Sequence, residues 1–106
     1  MTRSDDQRIA DILDACDELE AVVALRGSGK PSDQVLLRAA ERLLEIIGEA
    51  ASSVSDDAVA AHPMWIGAAS LRLRILLAHH YHRTDPNLIW SYAVEQAPLL
   101  AAALRP

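Results

Sequence analysis

Apolar side chains recur at steps of three and four along two long stretches of this chain, and that period commits most of it to helix. In the first stretch Ile9, Ile12, Leu13, Cys16, Leu19 and Val23 carry the pattern, with Asp and Glu between them, which predicts a helix from Asp5 to Arg26. Gly27-Ser28-Gly29-Lys30-Pro31-Ser32 ends it, since Gly and Pro together break helical runs. Ser32 or Asp33 then serves as cap for a second helix, roughly Gln34 to Val54, because a short polar side chain there accepts from the first free N–H groups. Its stripe of Val35, Leu36, Ala39, Leu43, Ile46, Ile47, Ala50 and Val54 is wide, as expected of the central element of a core.

Beyond it, Ser55 and Asp56 offer a cap for a short helical turn through Ala61. His62-Pro63 interrupts the chain, because the residue before Pro avoids the helical region. A third long helix is predicted from about Met64 to His82. Asp85-Pro86 is a strong start signal, a capping carboxylate followed by Pro at the first helical position. The last helix runs from Pro86 towards Leu104, with Leu88, Ile89, Tyr92, Leu99 and Leu100 as buried candidates and Pro98 as the place where it kinks or breaks. With no internal repeat, linker or low-complexity tract, residues 1–106 read as one all-α domain, an antiparallel bundle of four to five helices. Composition agrees: 51% of residues are apolar but only 4% aromatic, and none is Phe, which disfavours a sheet.

The single cysteine, Cys16, has no partner for an internal disulfide, and the polar start shows no apolar leader. No apolar run approaches the ~20 residues that span a bilayer. A cytoplasmic protein without membrane contact is the expectation. A net charge of -5 argues against a general nucleic-acid binder. The charge is unevenly placed, however. Between Ala58 and Thr84 there is no carboxylate, whereas Arg72, Arg74, Arg83 and all four histidines, His62, His79, His80 and His82, lie there. Fields in salt are local on the scale of the ~8–10 Å Debye length, so such a strip attracts phosphate even on an acidic protein.

Two superficial motifs dissolve on inspection. Gly27-Ser28-Gly29-Lys30 resembles part of a phosphate-binding loop, but Ala24 stands where the first Gly is needed and Pro31 where Ser or Thr is needed. A helix also precedes it where a strand should, so an inter-helix turn is the better account. His79-His80-Tyr81-His82 invites a metal, yet helical chelation favours a spacing of four, and no cysteine or well-placed carboxylate completes a set. The informative segment is Arg72 to Tyr81. Arginines, a histidine pair and a tyrosine at the end of an apolar helix are costly to bury and often gather at a cleft. Arg plus His suffices for metal-free RNA cleavage. A histidine titrating near neutrality moves the proton of the 2′-hydroxyl or the leaving oxygen, and a guanidinium holds the charge developing on phosphorus. A helix end whose polar groups simply face water is the plainer account of the same residues.

Arg74-x4-His79-x-Tyr81 resembles the signature of the HepT-like HEPN toxins. The similarity continues in Asp85, Trp90 and Pro98 downstream, in Leu44-Glu45-Ile46-Ile47-Gly48-Glu49-Ala50 upstream, and in Asp11-Ile12-Leu13 in the first helix. The resemblance implies a helical bundle that forms a homodimer or higher oligomer, with Arg74 and His79 of both subunits lining an interface cleft. It implies a metal-independent endoribonuclease, without cofactor, acting on RNA that includes tRNA. It also implies a partner, a minimal nucleotidyltransferase antitoxin that attaches AMP to the motif tyrosine, here Tyr81.

Helix geometry complicates the pairing. At 100° per residue Arg74 and His79 lie about 140° apart, whereas Arg72 and His79 differ by only about 20°, as do Arg74 and Tyr81. A partnership of Arg74 with His79 therefore needs a dimer or a distorted helix end. The family's register favours Arg74, with Arg72, His80 and Arg83 as supporting or RNA-binding groups. Ile75 follows Arg74 where the family commonly has a polar residue, typically Asn, and His80 replaces a small or acidic one. That departure and the acidic total charge leave a second reading open: a non-catalytic subunit that docks a nucleotidyltransferase. Trp65 and Trp90 sit in apolar stripes as packing residues. Glu45 and Glu49 share a face and could anchor the motif arginines, with Arg42 an equal alternative.

Overall fold

The computed structural model describes residues 3–61 and 85–105, and helix is the only regular structure among them. Helix α1 spans Asp5–Ala24. Ser4 closes a capping box: its hydroxyl accepts from the Gln7 N–H at 3.1 Å, and the Gln7 side chain accepts from the Ser4 N–H at 2.8 Å. Asp5 and Asp6 in the first turn complement the helix dipole. The helix stops two residues short of the expected Arg26. There the Leu25 and Arg26 N–H groups reach back only three residues, to Val22 and Val23 at 3.1 and 3.2 Å, the tightening common at helix ends. Gly27 and Gly29 follow with φ of 79° and 88°, the left-handed region that glycine enters without steric penalty.

Helix α2 spans Asp33–Ser53 and Ser32 is its cap, its hydroxyl accepting from the Val35 N–H at 3.3 Å. Asp33 instead accepts from the Gly27 N–H at 3.1 Å, closing the turn. The buried face of α2 is rotated from the expected one. It comprises Leu36, Leu37, Ala40, Leu43, Leu44, Ile47, Gly48 and Ala51. At 100° per residue this arc extends about 140°, from Leu43 to Gly48. Ala39, Ile46 and Ala50 fall at its edge, half-buried, and Val35 lies outside it, 57% exposed. The reason is that α2 packs on two neighbours at once, α1 and the helix that begins at Pro86.

A short helix, α3, spans Asp56–Ala61 as expected, with the Ser55 hydroxyl accepting from the Ala58 N–H at 3.2 Å. The helix predicted from Met64 to His82 lies outside the described residues. The chain resumes at Asp85, whose carboxylate caps α4, Pro86–Ser91, by accepting from the Asn87 and Leu88 N–H groups at 3.0 and 3.4 Å. A π turn, Tyr92–Gln96, leads directly into α5, Ala97–Leu104. Its signature is the Ala97 N–H bonded to the Tyr92 carbonyl, five residues back. Pro98 therefore does not break the helix. Its ring would collide with the carbonyl four residues earlier in a regular helix, and the wider turn ahead of it relieves that conflict. The buried stripe through this region is Ile89, Ala93, Ala97, Leu100, Ala101 and Leu104. Leu99, expected inside, projects from the opposite side and is 66% exposed, while Leu88 and Tyr92 are half-buried.

Long-range contacts fix the directions. Arg8 at the start of α1 donates to the Ser53 carbonyl at the end of α2 (2.6 Å), so α1 and α2 are antiparallel. Arg105 pairs with Asp17 at 2.7 Å, and the Arg26 guanidinium lies 4.2 Å from the centre of the Trp90 ring. The C-terminal helices thus also run antiparallel to α1. The shared core is centred on Ile12, Leu19 and Ile47, all fully buried. This is the all-α antiparallel bundle that the periodicity predicts.

Candidate functional site

Every residue that the sequence nominates for chemistry, Arg72, Arg74, His79, His80, Tyr81 and Arg83, lies outside the described residues, as do Ile75, Trp65, His62 and His82. The structure does define the frame on either side of them. Upstream, Asp5 accepts from both the Ser55 N–H (3.0 Å) and the Ser55 hydroxyl (2.6 Å), fixing the junction between α2 and α3 to the first turn of α1. These hydrogen bonds hold the Asp5 carboxyl below its ordinary pKa, with Arg8 adding a smaller effect. Downstream, α4 begins five residues after Tyr81 and is seated by buried Ile89 and by Trp90 beneath Arg26. Trp90 is accordingly a packing residue that also receives a cation. The sequence offers no signal for the Asp5–Ser55 contact, which joins residues fifty apart, or for the Arg26–Trp90 pair.

The frame is acidic. It holds all fifteen carboxylates and seven of the ten Lys and Arg residues, a formal -8 against -5 for the whole chain. The excess positive charge thus belongs to residues 62–84, as the sequence pattern requires. Of the anchors considered for the motif arginines, Glu45 is paired with Arg42 at 3.3 Å within α2. Glu49 lines an open groove of about 460 Å³ between α1 and α2, together with Arg3, Arg8, Asp11, Asp14 and Glu18. Among the described residues no group of three or more His, Cys, Asp or Glu is placed to hold a metal ion.

Cys16 is the only nucleophilic thiol and is not poised for chemistry. It is buried between α1 and α5, its Sγ 3.8 Å from the Ala97 carbonyl. Burial foremost, and then the neighbouring Asp17 charge, push its pKa up to about 11. The thiolate is the reactive form, so iodoacetamide at pH 8 should label the native protein far more slowly than the protein in denaturant. Equal labelling rates by intact mass would show that the thiol is not enclosed.

The frame is thus an all-α bundle that brackets an uninterrupted cationic segment bearing an Arg–His–Tyr signature. The chain belongs to the HepT-like ribonuclease family: the family model described as "Ribonuclease HepT-like" matches residues 12–106, and so includes that segment. A protein of Methanocaldococcus jannaschii that carries the name "Putative RNase" is 35% identical over 68 residues, which make up 62% of this chain and 54% of that protein. The chain therefore spans about half the length of this relative. No solved structure matches the chain. Among the described residues no helix is long and apolar enough to cross a membrane.

Proposed function

We propose that this chain is the toxin of a toxin–antitoxin pair, a metal-independent endoribonuclease that cleaves RNA, with tRNA as the substrate to test first. The observation that carries the reading is the family match over residues 12–106, which contains Arg74-x4-His79-x-Tyr81 in a stretch free of carboxylates. In the proposed reaction the substrate's 2′-oxygen attacks the adjacent phosphorus while the bond from phosphorus to the 5′-oxygen breaks. A proton leaves the 2′-hydroxyl and one reaches the departing 5′-oxygen, with His79 as the carrier. Arg74 holds the charge that gathers on the phosphoryl oxygens, and Arg72, His80 and Arg83 steer and grip the backbone. The products are a 2′,3′-cyclic phosphate and a 5′-hydroxyl, and no step calls for a metal.

On this reading the working form is a homodimer or higher oligomer, since Arg74 and His79 do not share a face of one regular helix. A minimal nucleotidyltransferase neutralises the toxin by attaching AMP to Tyr81, in the cytoplasm. The test is incubation of purified protein with total tRNA in EDTA, with intact mass recorded to show that Tyr81 is unmodified. Cleavage leaving cyclic-phosphate ends is expected. Absence of cleavage by unmodified protein would sink the nuclease reading.

Ile75 in place of a polar residue, and the acidic frame, favour one alternative: a non-catalytic subunit that docks the nucleotidyltransferase and presents Tyr81. Normal binding to the transferase with no RNA cleavage and no growth arrest would select it. Growth arrest on expression that is reversed by changing His79 would exclude it.

A further inference from the structure

Helix α1 contributes a charged contact at each of its ends, and each contact grips the chain on a different side of residues 62–84. At its start, Asp5 accepts two hydrogen bonds from Ser55, at 3.0 and 2.6 Å, and Arg8 donates to the Ser53 carbonyl at 2.6 Å. Together they hold both flanks of Val54, the buried residue where the backbone turns from α2 into α3. Just past its other end, the Arg26 guanidinium stacks on Trp90, 4.2 Å from the ring centre. Trp90 is the fifth residue of α4, which starts at Pro86. The two grips are separated by the length of α1, about 30 Å at 1.5 Å per residue.

Neither grip is needed to make the helices. Ser4 and Gln7 already cap α1, Asp85 caps α4, and the buried apolar core joins α1 to α2 and α5. What the grips add is lateral constraint on Ser55 and Trp90. Among the described residues these are the nearest positions before and after residues 62–84 where a side chain from beyond the adjoining helix makes a polar or cation–ring contact with the chain. Exposed polar contacts add little to global stability, typically less than a buried apolar contact of the same size. Geometry is a different matter: displacement of reacting groups by about 1 Å is enough to cost as much as 10²-fold in rate.

We propose that Asp5 and Arg26 are positioning residues, with α1 acting as a rigid spacer that sets the two attachment points of the motif-bearing segment. The proposal rests on the nuclease reading for its catalytic readout, and a second readout does not depend on that reading. Asp5→Ala and Arg26→Ala are each expected to lower kcat for RNA cleavage about tenfold with KM within about twofold, and with helical content unchanged. Arg26→Lys, which keeps a cation over the ring, should recover most of the loss. In the same proteins hydrogen exchange followed by mass spectrometry should show peptides covering 62–84 exchanging about tenfold faster, while those of α2 keep their protection. Unchanged exchange across 62–84 in both folded variants would overturn the proposal, as would acceleration spread equally over α1 and α2, which is the mark of general loosening. If the unaltered protein cleaves no RNA, the nuclease reading has failed, and the exchange measurement alone decides this one.

Discussion

Replacing His79 by Ala is expected to slow RNA cleavage by about 10²–10⁴-fold, the range over which a positioned proton carrier accelerates such reactions. Arg74→Ala should cost about 10²–10³-fold, the usual effect of removing one group that stabilises charge in the transition state. In both variants the loss should fall on kcat, because the proton and the phosphoryl charge move only as the bond breaks. Arg72→Ala is the discriminating control. If the family's register holds, its effect falls on KM, as for a group that grips the RNA backbone, and it weakens with added salt. A collapse of kcat in Arg72→Ala with Arg74→Ala near normal would transfer the role to Arg72, the arginine that a regular helix would put on the same face as His79. All three measurements belong in EDTA, on variants shown to match the unaltered protein in helical content and in size in solution.

The largest effect on stability is expected at Ile47. It is fully buried on α2, where α1 and the C-terminal helices converge. Ile47→Ala removes apolar surface and leaves a cavity, for a cost of about 3 kcal/mol within the usual range of roughly 2–5. A domain of this size is stable by only about 5–15 kcal/mol, and near its melting point each kcal/mol moves Tm by roughly 4–8 °C. Thermal unfolding followed by circular dichroism should therefore show Tm lowered by roughly 12–24 °C. Val35→Ala, on the same helix but 57% exposed, should move Tm by only a few degrees. Equal shifts at the two positions would mean that the buried arc of α2 has been placed wrongly.

Much of this fold was legible before any coordinates. Period, caps and breakers placed α1, α2, α3 and the start at Asp85, because each depends on contacts within a few residues. Burial was read less well where it depends on what packs from outside. Val35 and Leu99 both fit an apolar stripe, yet the arc of α2 turns towards two neighbours, and the π turn sets the face of α5. Neither neighbour is written in the local period. The Asp5–Ser55 and Arg26–Trp90 contacts were invisible for the same reason, since nothing nearby in the chain marks either partner. The candidate chemistry rests on the sequence alone, since its residues lie outside the described ones. Arg74, His79 and Tyr81 stand out through their spacing and through the ordered company of Asp85, Trp90 and Pro98. The choice between Arg72 and Arg74 was not legible, because helical geometry and the family's register point to different residues.

The widened turn at Tyr92–Gln96 gives one stretch of this molecule an unusual tolerance to changes in length. A π turn amounts to a single surplus residue in an otherwise regular helix. Loss of one residue in the middle of α1 or α2 would swing everything beyond it through about 100° and carry the core face to the surface. Loss of one residue between Tyr92 and Gln96 would instead relax the turn and leave Ile89 and Leu104 facing the same side. The proline then becomes the obstacle, because the relaxed helix would again drive its ring into the carbonyl four residues earlier. The extra residue and Pro98 are thus mechanically linked in this helix. Relatives that are one residue shorter here are expected to lack the proline as well.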